Sequence, residues 1–516
     1  MKLYFARDIR EADRIAMEEL GTPSLALMEN AARAITRALI GRVPEPLSGK
    51  VAVVCGKGNN GGDGLAVARL LKGVGYAPEV FLFAEPGRLS RDARVQFDRL
   101  AACCVPCALV DERRLPALGA SLEQADLVLD ALLGTGLGGP VGGFYAGAIE
   151  AMNRSGAFVA AVDIPSGLSG DAFAPDGPAV SADLTLTLAL AKPILFTPEG
   201  AGHCGEVCVL DIGIPPEATA RLPVSGEAMD GAWAARRFVP RRAQAHKGDL
   251  GRVLIIAGSR GKAGAAILAA RGALRAGAGL VTVACPDSAQ PTVASGQPEA
   301  MTLPLPETAE GTLSMDALVP LLSACEQADG VGMGPGLGQV PETAALCREL
   351  YRCMPCPAIL DADALNAFAG REAELPEHPG PRVFTPHPGE MARLCGWTVD
   401  QVMKNRYALA SDRAQDWQAT VLLKGYRTLV AAPNRPWRMN LSGGPHMAGP
   451  GFGDVLTGIV AALLARGMDP FDAASLAAWW HGAAADQAAV RLGGNGLLAS
   501  ECADALPVAE GETRRP

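Results

Sequence analysis

Short apolar runs recur along this chain at the spacing of strand–helix–strand units, and they end in glycines or acids. The first is Lys50-Val51-Ala52-Val53-Val54-Cys55. It leads into Gly56-Lys57-Gly58-Asn59-Asn60-Gly61-Gly62-Asp63-Gly64 and then a helical pattern over 65–71. Strand, glycine loop and helix in that order require a crossover, so the next strand runs parallel to the first and ligands gather at the carboxyl ends of the strands. Gly56, Gly58 and Gly61 fit a G-x-G-x-x-G spacing, which alone is a weak signal and also fits a tight strand-to-helix turn. Further runs at 79–83, 125–129, 158–162, 184–188 and 207–210 continue the series, and the apolar spacing over 9–41 predicts a helix before it.

A second series follows a stretch rich in Pro, Gly and Ala between Ile214 and Gly231. Strands are expected at 253–257, 280–284, 330–332, 358–360, 383–384, 421–423 and 429–431, with helices between them. At 516 residues the chain exceeds one ordinary core. The expected division is a first domain over 1–224, a second over 225–506, and a disordered tail over 507–516. Both domains read as α/β.

A formal charge of -9 argues against general affinity for nucleic acid or an anionic membrane. Anionic ligands must then be held locally. The start has no signal-like apolar run, and the most apolar segments, 180–196 and 455–464, are too short or too charged to span a bilayer. A cytoplasmic protein is expected. Thirteen cysteines include C-x-x-C pairs at Cys104/Cys107 and Cys353/Cys356, in different halves and without matched histidines, which favours ordinary reduced thiols over zinc.

Polar residues collect where the strands end. In the first half these are Asp130 before Gly134-Thr135-Gly136-Leu137-Gly138-Gly139-Pro140, and Asp163 in Val162-Asp163-Ile164-Pro165-Ser166-Gly167. Each Asp can also cap a turn. Asn60, Asp130 and Ser166 carry hard oxygen ligands suited to one shared alkali or alkaline-earth cation. In the second half they are His246-Lys247-Gly248, Gly334-Pro335-Gly336-Leu337-Gly338, Asp361-Ala362-Asp363-Ala364-Leu365-Asn366, Thr385-Pro386-His387-Pro388-Gly389-Glu390 and Lys424-Gly425-Tyr426-Arg427-Thr428. Acids beside phosphates commonly hold Mg²⁺. Last comes Gly449-Pro450-Gly451-Phe452-Gly453-Asp454, a glycine turn entering an apolar helix. Its free N–H groups make an anion seat with Asp454 beside it, either as a helix N-cap or as a base for phosphoryl transfer. No Walker-type phosphate loop is present.

Taken in order, these motifs resemble a known family. Gly58 to Gly64 with Val162 to Gly167 is similar to the NAD(P)H-hydrate epimerase domain, and the motifs at 246–248, 334–338, 361–366, 385–390 and 451–454 are similar to the ADP-dependent NAD(P)H-hydrate dehydratase domain. Together they resemble the bifunctional NAD(P)H-hydrate repair enzymes over nearly the whole chain. The resemblance implies a Rossmann-like three-layer first domain and a ribokinase-like second domain. It also implies substrates: the R and S hydrates of NADH and NADPH (NADHX and NADPHX), interconverted by the first domain. The second domain would restore the S form using ADP, releasing AMP and phosphate.

By the same resemblance, Asn59, Asn60, Gly61, Gly62, Asp63 and the stretch Gly134 to Pro140 would cradle the hydrated cofactor. Asp163 would transfer the proton, and Asn60, Asp130 and Ser166 would bind K⁺. Ala265, Gly336, His387 and Asp454 would contact the S epimer. Lys424, Gly425, Tyr426, Arg427, Thr428 and Gly453 would hold the adenine nucleotide, with Mg²⁺ as its counter-ion and Asp454 as base. A homo-oligomer is expected.

The chain departs from the family pattern at its last loop. Pro450 removes an N–H donor, Phe452 replaces a small hydroxyl residue, and His446 stands where glycine is usual. These departures bear on dehydratase rate and donor preference. Two other readings fit less of the pattern: a ribokinase-like kinase that keeps its phosphorylated product, or a nucleotide-binding scaffold with a decayed site.

Overall fold

A computed structural model describes residues 1–40, 50–240, 242–244 and 246–515. The contacts divide it into two compact units, Lys2–Gly226 and Glu227–Pro516, the latter with Met1. The strands in chain order are β1 Lys2–Leu3, β2 Lys50–Cys55, β3 Ala77–Leu82, β4 Cys107–Leu109, β5 Leu127–Ala131, β6 Phe158–Val162, β7 Leu184–Leu188, β8 Glu206–Leu210 and β9 Gly226–Met229. They continue as β10 Arg252–Ile256, β11 Leu280–Pro286, β12 Met301–Leu305, β13 Gly330–Met333, β14 Ala358–Leu360, β15 Arg382–Phe384, β16 Thr420–Leu423, β17 Leu429–Ala431 and β18 Trp437–Asn440.

The first unit is built on a sheet ordered β4-β3-β2-β5-β6-β7-β8. All its pairings are parallel. Buried on both faces, the central strands read as nearly continuous apolar runs, with Val51, Val53, Val54 and Cys55 at 0–1% exposure. The order reverses between β2 and β5, which opens a crevice at their carboxyl ends. The glycine loop enters that crevice. A Cβ on Gly61 would sit 1.9 Å from the Gly56 carbonyl oxygen, so only glycine lets the helix Asn59–Gly73 start this close to β2.

The second unit's sheet runs β9-β18-β17-β16-β15-β14-β13-β10-β11-β12. It is parallel from β10 through β16, with antiparallel pairs at β16–β17 and β17–β18. Here the switch lies between β10 and β13. This is the ribokinase-like α/β architecture expected from the sequence. The helix Phe452–Ala465 has almost every residue buried, with Val455, Ile459, Val460 and Leu463 at 1% or less. A helix apolar all round must be enclosed, and each such side chain contributes about 1.5–3 kcal/mol by leaving water. Its N-terminus therefore has a fixed address at the sheet edge.

Three expectations change. The helix expected over 9–41 is two: Ala6–Arg14, followed by a wider turn Ile15–Glu19, and Ser24–Ile40. Gly21 at φ +72° and Pro23 break it between them, and residue 41 lies outside the described residues. The tail expected to be disordered from 507 continues the helix Ala499–Thr513, with Leu506 and Ala509 buried and Trp480 Nε1 donating to the Leu506 carbonyl at 2.7 Å. Packing thus overrides Pro507, while Pro516 lies outside the described residues. Strands β1, β4, β9, β12 and β18 were not expected. They are short or, in β12, interrupted by Pro304, which an edge strand tolerates.

Candidate active sites

The first site lies over the β2/β5 switch, in a cavity of about 560 Å³. Asn59, Asn60, Asp63, Gly134 to Gly138 and Asp163 line it; Gly61, Gly62, Gly139 and Pro140 do not. Beneath it, Asp130 is fully buried at the end of β5. Its Oδ1 accepts from Ser166 Oγ at 2.6 Å and its Oδ2 from the Ser166 N–H at 2.7 Å. The Leu133 N–H donates to Ser166 Oγ at 2.8 Å, and Asn60 Nδ2 donates to the Leu133 carbonyl at 2.9 Å. Asn60, Asp130 and Ser166 are thus knitted together through Leu133. Burial pushes the Asp130 carboxyl up to about 6, against the pull of the Ser166 and Leu132 donors.

Asp163 follows β6 with φ at +65°, a strained conformation for a side-chain-bearing residue. The strain has a visible function. It aims Oδ1 at the Leu188 N–H, 2.9 Å away, and at Lys192 Nζ, with which it forms a close ion pair. Lys192 is only 1% exposed, and its ammonium also donates to Thr187 Oγ1 at 2.9 Å. Two further carboxyls face the same cavity. Burial, followed by the charges of Asp163 and Asp13, holds the Asp63 carboxyl well above its ordinary range. Burial and Asp163 push the Asp13 carboxyl up to about 6, with Lys192 opposing. Sequence reasoning gave neither Lys192 nor Asp13 a role in the site. Lys192 stood out as a charge in an apolar run, whereas Asp13, among Arg10, Glu11 and Arg14, carried no such signal.

The second site is assembled from strand ends of the other sheet. Asp361, after β14 and 2% exposed, is its hub. Its Oδ1 accepts from Lys424 Nζ at 2.6 Å and Thr385 Oγ1 at 2.9 Å, and its Oδ2 accepts from Thr457 Oγ1 at 3.1 Å. Glu390 Oε2 stands 3.6 Å from Lys424 Nζ. Gly451, at φ +87°, is the N-cap of the helix Phe452–Ala465, so Asp454 is not the cap but sits in the first turn. A Cβ on Gly453 would lie 3.4 Å from Asp361 Oδ2 and 3.6 Å from Lys424 Nζ, which places this turn against the ion pair. Burial first, then the Asp361 charge, push the Asp454 carboxyl up to about 7, with Lys424 holding it back. The acids in turn raise the Lys424 ammonium, overcoming its burial.

The other expected residues lie around this hub. Gly336 abuts Ala265: a Cβ on the glycine would be 3.0 Å from that of the alanine. His387 caps the helix Pro388–Cys395, its Nδ1 accepting from the Gly389 N–H at 3.0 Å, while its own N–H donates to Glu390 Oε2 at 2.8 Å. The cap uses one ring nitrogen and leaves Nε2 at 3.5 Å from Glu390 Oε1. Lys424 N–H donates to the Pro386 carbonyl at 2.9 Å, tying the 424–428 turn to the His387 loop. Gly425 and Arg427 have positive φ, Thr428 Oγ1 donates to the Gly425 carbonyl at 2.9 Å, and the Arg427 guanidinium lies over the Tyr426 ring at 5.0 Å. Two of the departures at the last loop, His446 and Phe452, lie against the helix Pro470–Leu492. His446 Nε2 stands 3.1 Å from Asp486 Oδ1, and the buried Phe452 ring lies 5.9 Å from His481. Among the described residues no group of three or more His, Cys, Asp and Glu is placed to hold a metal, and no helix is long and apolar enough to cross a membrane.

Two acid sites, each at the carboxyl edge of its own α/β sheet, define a bifunctional enzyme. Residues 24–194 match the family model described as YjeF-related protein N-terminus, and residues 253–508 match the model described as NAD(P)H-hydrate dehydratase. Among curated proteins the chain is 42% identical to the bifunctional NAD(P)H-hydrate repair enzyme Nnr of Moorella thermoacetica, over 98% of this chain and 96% of that one. It is 37% identical to the Escherichia coli protein of the same name, over 97% and 92%. Among solved structures, an ADP/ATP-dependent NAD(P)H-hydrate dehydratase from Bacillus subtilis, co-crystallized with ATP/Mg²⁺, aligns with a TM-score of 0.49 at 30% identity, covering 56% of this chain and all of that one. The chain belongs to the family of bifunctional NAD(P)H-hydrate repair enzymes.

Proposed function

We propose that this chain repairs hydrated NADH and NADPH in two steps, exchanging the R and S epimers in its first unit and dehydrating the S epimer with ADP in its second. The observation that carries this reading is the 42% identity to a bifunctional repair enzyme over 98% of the chain, with a separate acid site in each unit. In the second unit the difficulty is the leaving group. Hydroxide leaves a ring carbon poorly, and phosphate leaves well. Asp454, titrating near neutrality, takes the proton of the ring hydroxyl as the terminal phosphoryl of ADP transfers to it. N–H groups of the first turn after Gly451 stabilise the transferring charge, and Lys424 contributes a fixed cation. Loss of phosphate then restores the double bond, leaving AMP. Ala265, Gly336 and His387 bound the substrate side, and Lys424 to Thr428 with Gly453 the nucleotide side.

The donor sets suit two cations. Asp130 is a fully buried carboxylate whose bonded partners are neutral, so a K⁺ among Asn60, Asp130 and Ser166 would balance it and brace the loops. Glu390 lies beside Lys424, its Oε1 3.5 Å from His387 Nε2, and would offer Mg²⁺ an oxygen. When bound, Mg²⁺ neutralises charge on the nucleotide phosphates. The test is a mixture of NADHX epimers with Mg²⁺ and either ADP or ATP. Complete conversion to NADH with stoichiometric phosphate supports the reading. A stable phosphorylated product, or no NADH from either nucleotide, sinks it.

A further inference from the structure

We propose that Asp13 is a second proton-transfer group of the first site, acting on the substrate from the N-terminal helix while Asp163 acts from the sheet edge. This rests on the epimerase reading. The helix Ala6–Arg14 lays Ile9, Arg10 and Asp13 along one wall of the 560 Å³ cavity that Asp163 and Lys192 also line. Three basic groups near Asp13 are already engaged. Lys192 is bound to Asp163, and Arg10 donates to Asp171 at 2.9 Å. On its own helix, Arg14 binds Glu11, Glu18 and Glu19. Asp63 faces it from the helix Asn59–Gly73, and Lys57 and Asp92 line the same cavity. No hydrogen-bond donor among the described residues reaches the Asp13 carboxyl, so nothing in the fold occupies it.

The two carboxyls differ as a donor and an acceptor must. Asp163 accepts from an ammonium and a backbone N–H, so its Oδ1 is held by two donors. Asp13 has neither, and burial beside Asp163 favours its protonated form. Titrating at about 6, it can both give and regain a proton.

The chemistry of exchange requires such a pair. Adding water across an enamine double bond puts the hydroxyl on the carbon attached to nitrogen. Asp163 takes the hydroxyl proton, the O–H electron pair becomes the second bond of a carbonyl, and the carbon–nitrogen bond breaks. Its electrons go to nitrogen, which takes the proton from Asp13. Rotation of the aldehyde presents its other face. Nitrogen then attacks the carbonyl carbon and returns its proton to Asp13, and the oxygen regains its proton from Asp163. Nothing is oxidised or reduced, and both carboxyls end as they began.

The experiment follows exchange between purified NADPHX epimers by chromatography in the full-length protein from pH 5 to 8, with the spontaneous rate subtracted. Asp13→Asn is expected to lower kcat about 100-fold or more with KM within about threefold, and to remove the alkaline limb near pH 6. Asp13→Glu is expected to keep exchange within about tenfold of the parent with that limb displaced. Exchange by Asp13→Asn within threefold of the parent, on an unchanged pH profile, overturns the proposal while leaving the epimerase reading intact. If Asp13→Asn does not fold, an Asp13→Glu profile identical to the parent's overturns it equally. A parent protein that exchanges no epimers overturns the epimerase reading itself, and Asp13 with it.

Discussion

Replacing Asp454 with asparagine separates function from stability in opposite directions. The carboxyl is pushed up to about 7 from an ordinary 3.8, chiefly by burial and then by Asp361. A group raised in the folded state favours folding while protonated, and that contribution is lost as pH climbs from the unfolded value through the folded one. At 1.36 kcal/mol per pH unit, the gap between 3.8 and about 7 bounds the cost above pH 7 at about 4 kcal/mol. Solvent reaching the site reduces this to about 1–3 kcal/mol. A neutral amide at the same position carries no such cost. Asp454→Asn is therefore expected to be more stable than the parent at pH 8 by about 1–3 kcal/mol, with the gain shrinking as pH falls from 7 toward 4. Urea unfolding of the second unit at several pH values measures this. The same change removes the base, so ADP-dependent dehydration of the S epimer should fall about 10²–10⁴-fold while epimer exchange is unaffected. In the parent, dehydration should fall about fivefold between pH 7 and pH 6 as Asp454 protonates. A variant that keeps dehydratase activity within threefold, or that is no more stable than the parent at pH 8, refutes the argument.

Asp163→Asn keeps a residue that tolerates positive φ while removing the charge that holds Lys192. Epimer exchange should fall at least about 100-fold with dehydration of pure S epimer unchanged, read by chromatography in the same sample. Lys424→Met leaves Asp361 buried without its cation and should destabilise the second unit by about 3 kcal/mol. It should also move the acidic limb of dehydration above pH 7, because Lys424 restrains the Asp454 carboxyl. Asp130→Asn should abolish any acceleration of epimer exchange by K⁺ over a bulky organic cation at equal ionic strength; an undiminished K⁺ effect would remove Asp130 from the cation site.

The parallel sheets were legible because apolar runs buried on both faces are unbroken and the loops after them are glycine-rich. The same local signals marked Asp163 and Asp454. The break at Gly21 and Pro23 was also written locally, but the helical spacing on either side of it dominated the reading. The helix through 513 was not written there at all. Pro507 argues against it, and the burial of Leu506 and Ala509 decides for it.

By itself, then, the sequence determined which backbone turns can approach a ligand and which acids stand at them, because glycine spacing and apolar period are properties of neighbouring residues. Only the tertiary structure decided what those acids are. Lys192 reaches Asp163 across 29 residues, Lys424 reaches Asp361 across 63, and Thr457 reaches Asp361 across 96. Burial and a charge brought from a distant strand set whether a carboxyl holds or releases its proton, and neither quantity exists until the chain has closed on itself.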